Sequence, residues 1–97
     1  MIKLKSLIKE KFSYERIRGT DYIILSSDKN DLTSLPDVRK GEDGAVVFED
    51  RSGHVEVFIN DKGKPYLQTN KYDKVFPSVK ALVAYLNKEN MKYIGID

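Results

Sequence analysis

A strict alternation of polar and apolar residues from His54 to Asn60 is the clearest pattern in the chain. Its apolar positions, Val55, Val57 and Ile59, fall on one side of an extended backbone, so the segment predicts a β-strand with one buried face and one open face. Turn residues and short β-branched or aromatic runs predict further strands before and after it. These predicted strands are Tyr14–Arg18, Tyr22–Ser26, Ala45–Glu49, Pro65–Thr69 and Tyr93–Ile96.

Apolar residues spaced three and four apart predict two amphipathic helices, one over residues 3–12 and one over residues 77–89. The stripe of the first is Leu4, Leu7, Ile8 and Phe12, and that of the second is Val79, Leu82, Val83 and Leu86. Pro77 suits the first position of the second helix, where a missing N–H costs nothing. Lys80, Asn87 and Lys88 are expected to face solvent.

These elements predict a single α+β domain over residues 1–97. A mostly antiparallel sheet of five or six strands is packed on one face by an N-terminal helix and a C-terminal helix. A chain of this length can bury one modest core. The predicted core residues are Leu4, Leu7, Ile8, Phe12, Ile23, Leu25, Val47, Val55, Val57, Ile59, Leu67, Val79, Leu82, Val83 and Leu86.

Between Ser27 and Asp43 the periodic pattern stops, and turn-forming residues dominate. Leu32, Leu35 and Val38 are three residues apart, which allows one helical turn. A connection this long in a small domain is more often functional than a spacer.

Composition narrows the class of protein. Cysteine is absent, which excludes disulfides and thiolate metal sites. The longest apolar run, Tyr22–Leu25, is too short to cross a bilayer, and no signal peptide is evident, so a cytoplasmic protein without a membrane partner is expected. Thirteen lysines against four arginines indicate an AT-rich genome, such as that of a bacterium or a phage.

Charge is distributed unevenly around a net value of +2. Residues 1–18 and 62–97 each carry +4, whereas residues 19–61 carry −6. This predicts a basic surface and an acidic surface, each able to steer a different partner.

No catalytic or cofactor motif is recognisable. His54 is the only histidine, and Ser52 and Asp50 lie close to it in the sequence. Three side chains on one tight turn rarely converge into a catalytic triad, so we expect His54 at a surface position on its strand. The calcium-loop pattern that begins at Asp28 fails at Thr33 and Arg39, where glycine and glutamate belong. We therefore expect no catalytic residue, no metal and no cofactor.

One arrangement resembles metal-dependent nucleases. Pro36-Asp37 followed by Glu49-Asp50-Arg51 is similar to their Pro-Asp and acid-x-lysine, in which two acids hold the metal. Arg51 stands where the lysine belongs, and arginine does not deprotonate. A nuclease is therefore the third functional hypothesis.

The segment Phe76–Leu86 resembles the second helix of the Src-homology-2 family, which often has the pattern F-x-S-V-x-x-L-V-x-Y. The order of a first helix, a strand after Gly19-Thr20-Asp21 and the hairpin His54–Thr69 is also similar. The family's phosphotyrosine-binding arginine would fall at Leu25, so the resemblance does not imply phosphotyrosine binding and transfers no site residue.

The leading functional hypothesis is a small non-enzymatic protein-binding module, such as a phage or bacterial accessory or inhibitor protein that acts on a larger protein. The predicted contact residues are Asp28, Asp31, Leu32, Leu35, Asp37, Val38, Glu42 and Asp43. The alternative is a weak nucleic-acid-binding protein that uses basic residues with interleaved aromatics. That alternative surface consists of Tyr66, Lys71, Tyr72 and Lys74.

Overall fold

The computed structural model describes residues 11–20, 22–27, 31–51 and 53–97. In chain order the elements are β1 (Ser13–Arg16), β2 (Ile23–Ser26), β3 (Asp31–Ser34), a 3-10 turn (Val38–Lys40), β4 (Val46–Asp50), β5 (Gly53–Ile59), β6 (Pro65–Gln68), β7 (Asp73–Val75), α1 (Val79–Lys88) and β8 (Lys92–Ile96). The strands form two antiparallel sheets, one in the order β1-β2-β3 and one in the order β7-β6-β5-β4-β8.

The predicted α+β class is wrong, because the described chain is mostly β and contains two sheets where one was expected. Residues 3–10 of the predicted N-terminal helix lie outside the described residues. Lys11 and Phe12 are not helical, and the chain enters β1 at Ser13. Two strands, β3 and β7, were not predicted. Both are short and polar, and they are strands because a neighbour supplies backbone partners, not because of their own composition.

The five-stranded sheet forms around β5, whose predicted alternation is confirmed. Helix α1 packs its stripe of Val79, Leu82, Val83 and Leu86 into the core that Val55, Val57 and Ile59 line. Ser78 caps the helix by accepting a hydrogen bond from the Ala81 N–H at 3.1 Å. Pro77 therefore precedes the cap and does not occupy the first helical position.

The core confirms most of the predicted residues and corrects one strand. Val46 and Phe48 are fully buried, whereas the predicted Val47 is half-buried on the opposite face. The register explains the difference, since Val46 pairs with Val57 and Phe48 pairs with Val55. Leu4, Leu7 and Ile8 lie outside the described residues. Buried apolar residues that were not predicted are Leu35, Ala45, Val46, Phe48, Phe76 and Met91.

The three-stranded sheet shares this core. The Phe12 ring contacts Phe48 edge-on at 5.2 Å between centroids. The Asn87 side chain accepts a hydrogen bond from the Phe12 N–H at 2.7 Å and donates one to the Phe12 carbonyl at 2.9 Å. Asn87 was expected to face solvent, and it instead ties α1 to the strand that begins the small sheet.

Within the described ranges, no helix combines the length and the apolar composition that a membrane span requires.

Candidate functional site

The outer face of the five-stranded sheet, which is turned away from α1, carries three apolar side chains side by side. Phe58 on β5 pairs with Tyr66 on β6, and Tyr66 pairs with Val75 on β7. Directly opposed residues of an antiparallel pair project to the same face. The Phe58 and Tyr66 rings lie 5.2 Å apart, and Val75 is 55% exposed.

Val38, in the 3-10 turn, extends this line of side chains. It is 45% exposed and lines a shallow depression of about 390 Å³ together with Phe58, Asn60, Asp61 and Tyr66. We call Val38, Phe58, Tyr66 and Val75 the apolar row. Four separate elements contribute one residue each, so the sheet register and the position of the turn assemble it.

Asp37 holds the turn that presents Val38. Its carboxylate accepts hydrogen bonds from the Arg39 N–H at 3.0 Å and from the Arg39 guanidinium at 2.7 and 3.1 Å, and its own N–H donates to Glu42 at 2.8 Å. The hydrogen bond from the Arg39 side chain is the main cause that lowers the pKa of Asp37. Asp37 is only 4% exposed, so its charge stabilises the turn and is not presented to a partner.

Several acidic side chains lie along the outer face. Glu56 projects two residues before Phe58, Asp61 lines the depression, and Asp97 lies beside Glu56. Glu49 lies farther from the row, near the opposite end of β5. Asp73 accepts a hydrogen bond from the Tyr66 hydroxyl. The basic side chains on or beside the same face include Lys92, which pairs with Glu49, and Lys62 and Lys64 in the turn that holds Asp61. His54 also projects from this face.

Two of these groups have shifted pKa values. Burial, followed by the hydrogen bond and the repulsion from Asp97, raises the pKa of Glu56, and the nearby His54 opposes this shift. The hydrogen bond to Asp73 raises the pKa of Tyr66, because the bond is made by the protonated hydroxyl. Asp97 thus contributes to the first shift, and Asp73 is the main cause of the second.

The structure does not gather the predicted acidic contact residues on one surface. Leu35 is in the core at 3% exposure, and Leu32 is half-buried against it. Asp31 is exposed and accepts a hydrogen bond from the Ser26 hydroxyl at 2.9 Å. Asp43 is exposed in the loop before β4. Asp28 lies outside the described residues. Of the predicted residues described here, Val38 joins the outer face and Asp37 and Glu42 support it.

The residues of the alternative basic surface also lie on different faces of the sheet or in loops. Tyr66 lies on the outer face, whereas Lys74 pairs with Leu67 on the core side and places its ammonium 5.6 Å from the Tyr85 ring centre. The Tyr72 and Tyr85 hydroxyls share a hydrogen bond of 3.1 Å, which is the main cause that raises the pKa of Tyr85 to about 12. Lys71 is exposed in the preceding loop.

The two acids of the nuclease hypothesis are far apart. Asp37 bridges to Ile59 at one end of β5, and Glu49 pairs with His54 near the other end. Five strand positions correspond to about 16 Å, which is too long for a shared metal ion. Among the described residues, no three acidic, histidine or cysteine side chains are grouped as a metal ion would need.

A larger depression, of about 510 Å³, lies between the β4–β5 turn and the end of α1. Its lining residues are Glu49, Asp50, Arg51, Lys88, Glu89 and Asn90. Acids and bases alternate there and no apolar side chain offers an anchor, so the outer face is the stronger candidate.

No family model, no curated protein and no solved structure matches the chain. The assignment of the outer face as the candidate site therefore rests on its geometry. At the position of the Src-homology-2 arginine, Leu25 is fully buried.

Phe58 and Val75 were not predicted as site residues. A signal for Phe58 was present in the sequence, since it is the one large apolar residue on the polar side of the alternating strand His54–Asn60. Val75 carried no such signal, because β7 becomes a strand only by pairing with β6.

Proposed function

We propose that this chain is a non-enzymatic protein-binding module that docks a partner protein on the outer face of its five-stranded sheet. The observation that supports this proposal is the apolar row of Val38, Phe58, Tyr66 and Val75, which spans four elements and is left open to solvent by the described residues.

Protein interfaces favour this combination of side chains. Aromatic residues near the middle of a contact contribute much of the binding free energy, and polar residues at the rim exclude water. Phe58 and Tyr66 occupy the middle of the row, and their rings are held against each other. Single exposed apolar residues are ordinary on protein surfaces, whereas a contiguous set with a polar rim marks an interaction site.

The two other functional hypotheses find less support. A nucleic-acid surface would need an excess of basic groups beside exposed aromatics, whereas acidic groups outnumber basic ones on the outer face. A nuclease would need Asp37 and Glu49 at one metal ion, and they lie at opposite ends of β5.

Replacing Val75 with aspartate tests the docking surface. Val75→Asp places a charge in the apolar row without disturbing the core, since Val75 is exposed. Ile17→Asp is the matched control, because Ile17 is 40% exposed and follows β1 in the other sheet. Both variants should melt close to the unchanged protein.

The readout is affinity capture from a lysate of the source organism, quantified by mass spectrometry for the unchanged protein and both variants. We expect at least one protein whose recovery falls with Val75→Asp and persists with Ile17→Asp. Equal recovery of every captured protein by the two variants would refute the outer face as the docking surface. Capture of nothing beyond background would refute the binding function itself.

A further inference from the structure

We infer that the partner presents a basic protein surface with an apolar side chain that packs onto Phe58 and Tyr66. This inference rests on the proposed function and adds the chemistry of the partner to it. It depends on the electrostatic character of the outer face, which differs from that of the whole chain.

Acidic side chains outnumber basic ones on the outer face, although the chain has a net charge of +2. Five carboxylates, those of Glu49, Glu56, Asp61, Asp73 and Asp97, lie on or beside it. Among the described residues, Lys92 pairs with Glu49, and Lys62 and Lys64 lie in the turn that holds Asp61. Docked surfaces carry complementary potentials, because juxtaposed like charges weaken a complex. Lysine or arginine side chains on the partner would therefore meet the rim while an apolar side chain covers the row.

The same electrostatics disfavour two other occupants. A second copy of the chain docked face to face would bring the carboxylates of one copy against those of the other. A nucleic acid would bring phosphates against them. Both arrangements place like charges together at short range, where screening by salt is weakest.

Asp61 is the acid best suited to a test. It lines the depression with Phe58 and Tyr66 and lies in the turn between β5 and β6. The backbone of that turn is held by the Asn60 side chain, which accepts hydrogen bonds from the Lys62 and Lys64 N–H groups at 3.0 and 2.9 Å. Asp61→Lys should therefore change the rim charge without opening the turn. Glu15→Lys is the matched control, since Glu15 is an exposed acid on β1 of the other sheet.

The probes are three synthetic peptides of equal length: one alternates leucine with lysine, the second leucine with glutamate, and the third serine with lysine. Binding is measured by titration calorimetry at neutral pH with the unchanged protein, Val75→Asn, Asp61→Lys and Glu15→Lys. Asparagine is used at position 75 because it removes the apolar anchor without adding charge. We expect the leucine–lysine peptide to bind about tenfold tighter than each of the other two. Val75→Asn and Asp61→Lys should each weaken its binding several-fold, and Glu15→Lys should not. Binding should also weaken with added salt.

Several results would overturn the inference. Equally tight binding of the leucine–glutamate peptide that is lost with Val75→Asn would show that the outer face docks apolar peptides without preferring basic ones. Equal binding of the serine–lysine peptide would show charge attraction without an apolar anchor. Self-association that Val75→Asn abolishes would assign the face to a second copy. Absence of binding by all three peptides also overturns it, while the capture experiment separately decides the proposed function.

Discussion

Asn87→Ala tests the contact that joins α1 to the start of the small sheet. In the folded chain, the Asn87 side chain makes two hydrogen bonds to the Phe12 backbone, at 2.7 and 2.9 Å. Phe12 is buried, so its N–H and carbonyl cannot simply exchange these partners for bulk water. The substitution should therefore destabilise the protein, although alanine is the better helix former.

The magnitude follows from two opposing contributions. Two hydrogen bonds at about 0.5–1.5 kcal/mol each represent a loss of about 1–3 kcal/mol, and the higher values apply when the partners are left unsatisfied. Alanine in place of asparagine returns up to about 0.7 kcal/mol of helix propensity. The net loss should be about 1–2 kcal/mol, which lowers the melting temperature of a domain this size by roughly 4–16 °C.

Urea and thermal melts measure the loss, and hydrogen exchange of the Phe12 amide locates it. Ala84→Asn is the matched control, because Ala84 is an exposed position of the same helix and the change costs only the propensity difference. An Asn87→Ala variant as stable as the unchanged protein, with the Phe12 amide still protected, would show that this contact does not hold α1 to the small sheet.

Three further predictions concern the core and two carboxyl groups. Leu82 is fully buried, so Leu82→Ala should cost about 2–5 kcal/mol in urea melts, whereas Lys80→Ala, on the exposed side of α1, should stay within about 0.5 kcal/mol. Because its pKa is raised, Glu56 adds stability below its ordinary value of 4.5 that is lost as the pH rises. Glu56→Gln should therefore raise the melting temperature at pH 7 and leave it nearly unchanged in acid, where Asp97 no longer faces a second charge. Asp37 has a lowered pKa, so Asp37→Asn should cost about 1–2 kcal/mol at pH 7, with the difference shrinking as the pH falls below 3.8.

Local periodicity was sufficient for the elements with one clear apolar face. The alternation around Val57 and the stripe around Leu82 each predicted an element and its buried side, and both are confirmed. In such segments the apolar positions match only one of the two backbone periods, so the element and its orientation follow from neighbours in the chain.

Where apolar residues are consecutive, the pattern could not choose a face. Ala45-Val46-Val47-Phe48 has no polar position to mark the open side, and Val47 was wrongly assigned to the core. Pairing with β5 determines which face of β4 is buried, because a shift of one residue in the register would turn every side chain to the other face. Asn87 likewise gave no sign of its distant partner, because a hydrogen bond across 75 residues leaves no local pattern.

Neither the fold class nor the candidate surface could be predicted from the sequence, and the reason is the same. Leu35 and Val38 belong to the same three-residue apolar spacing in the sequence. The structure nevertheless buries Leu35 and exposes Val38 beside Phe58. The apolar row exists only because strand register and the Asp37-held turn bring residues from four elements together. Periodicity along the chain thus determined which segments have a buried side, whereas pairing between distant segments decided how many sheets form and which side chains share an open face.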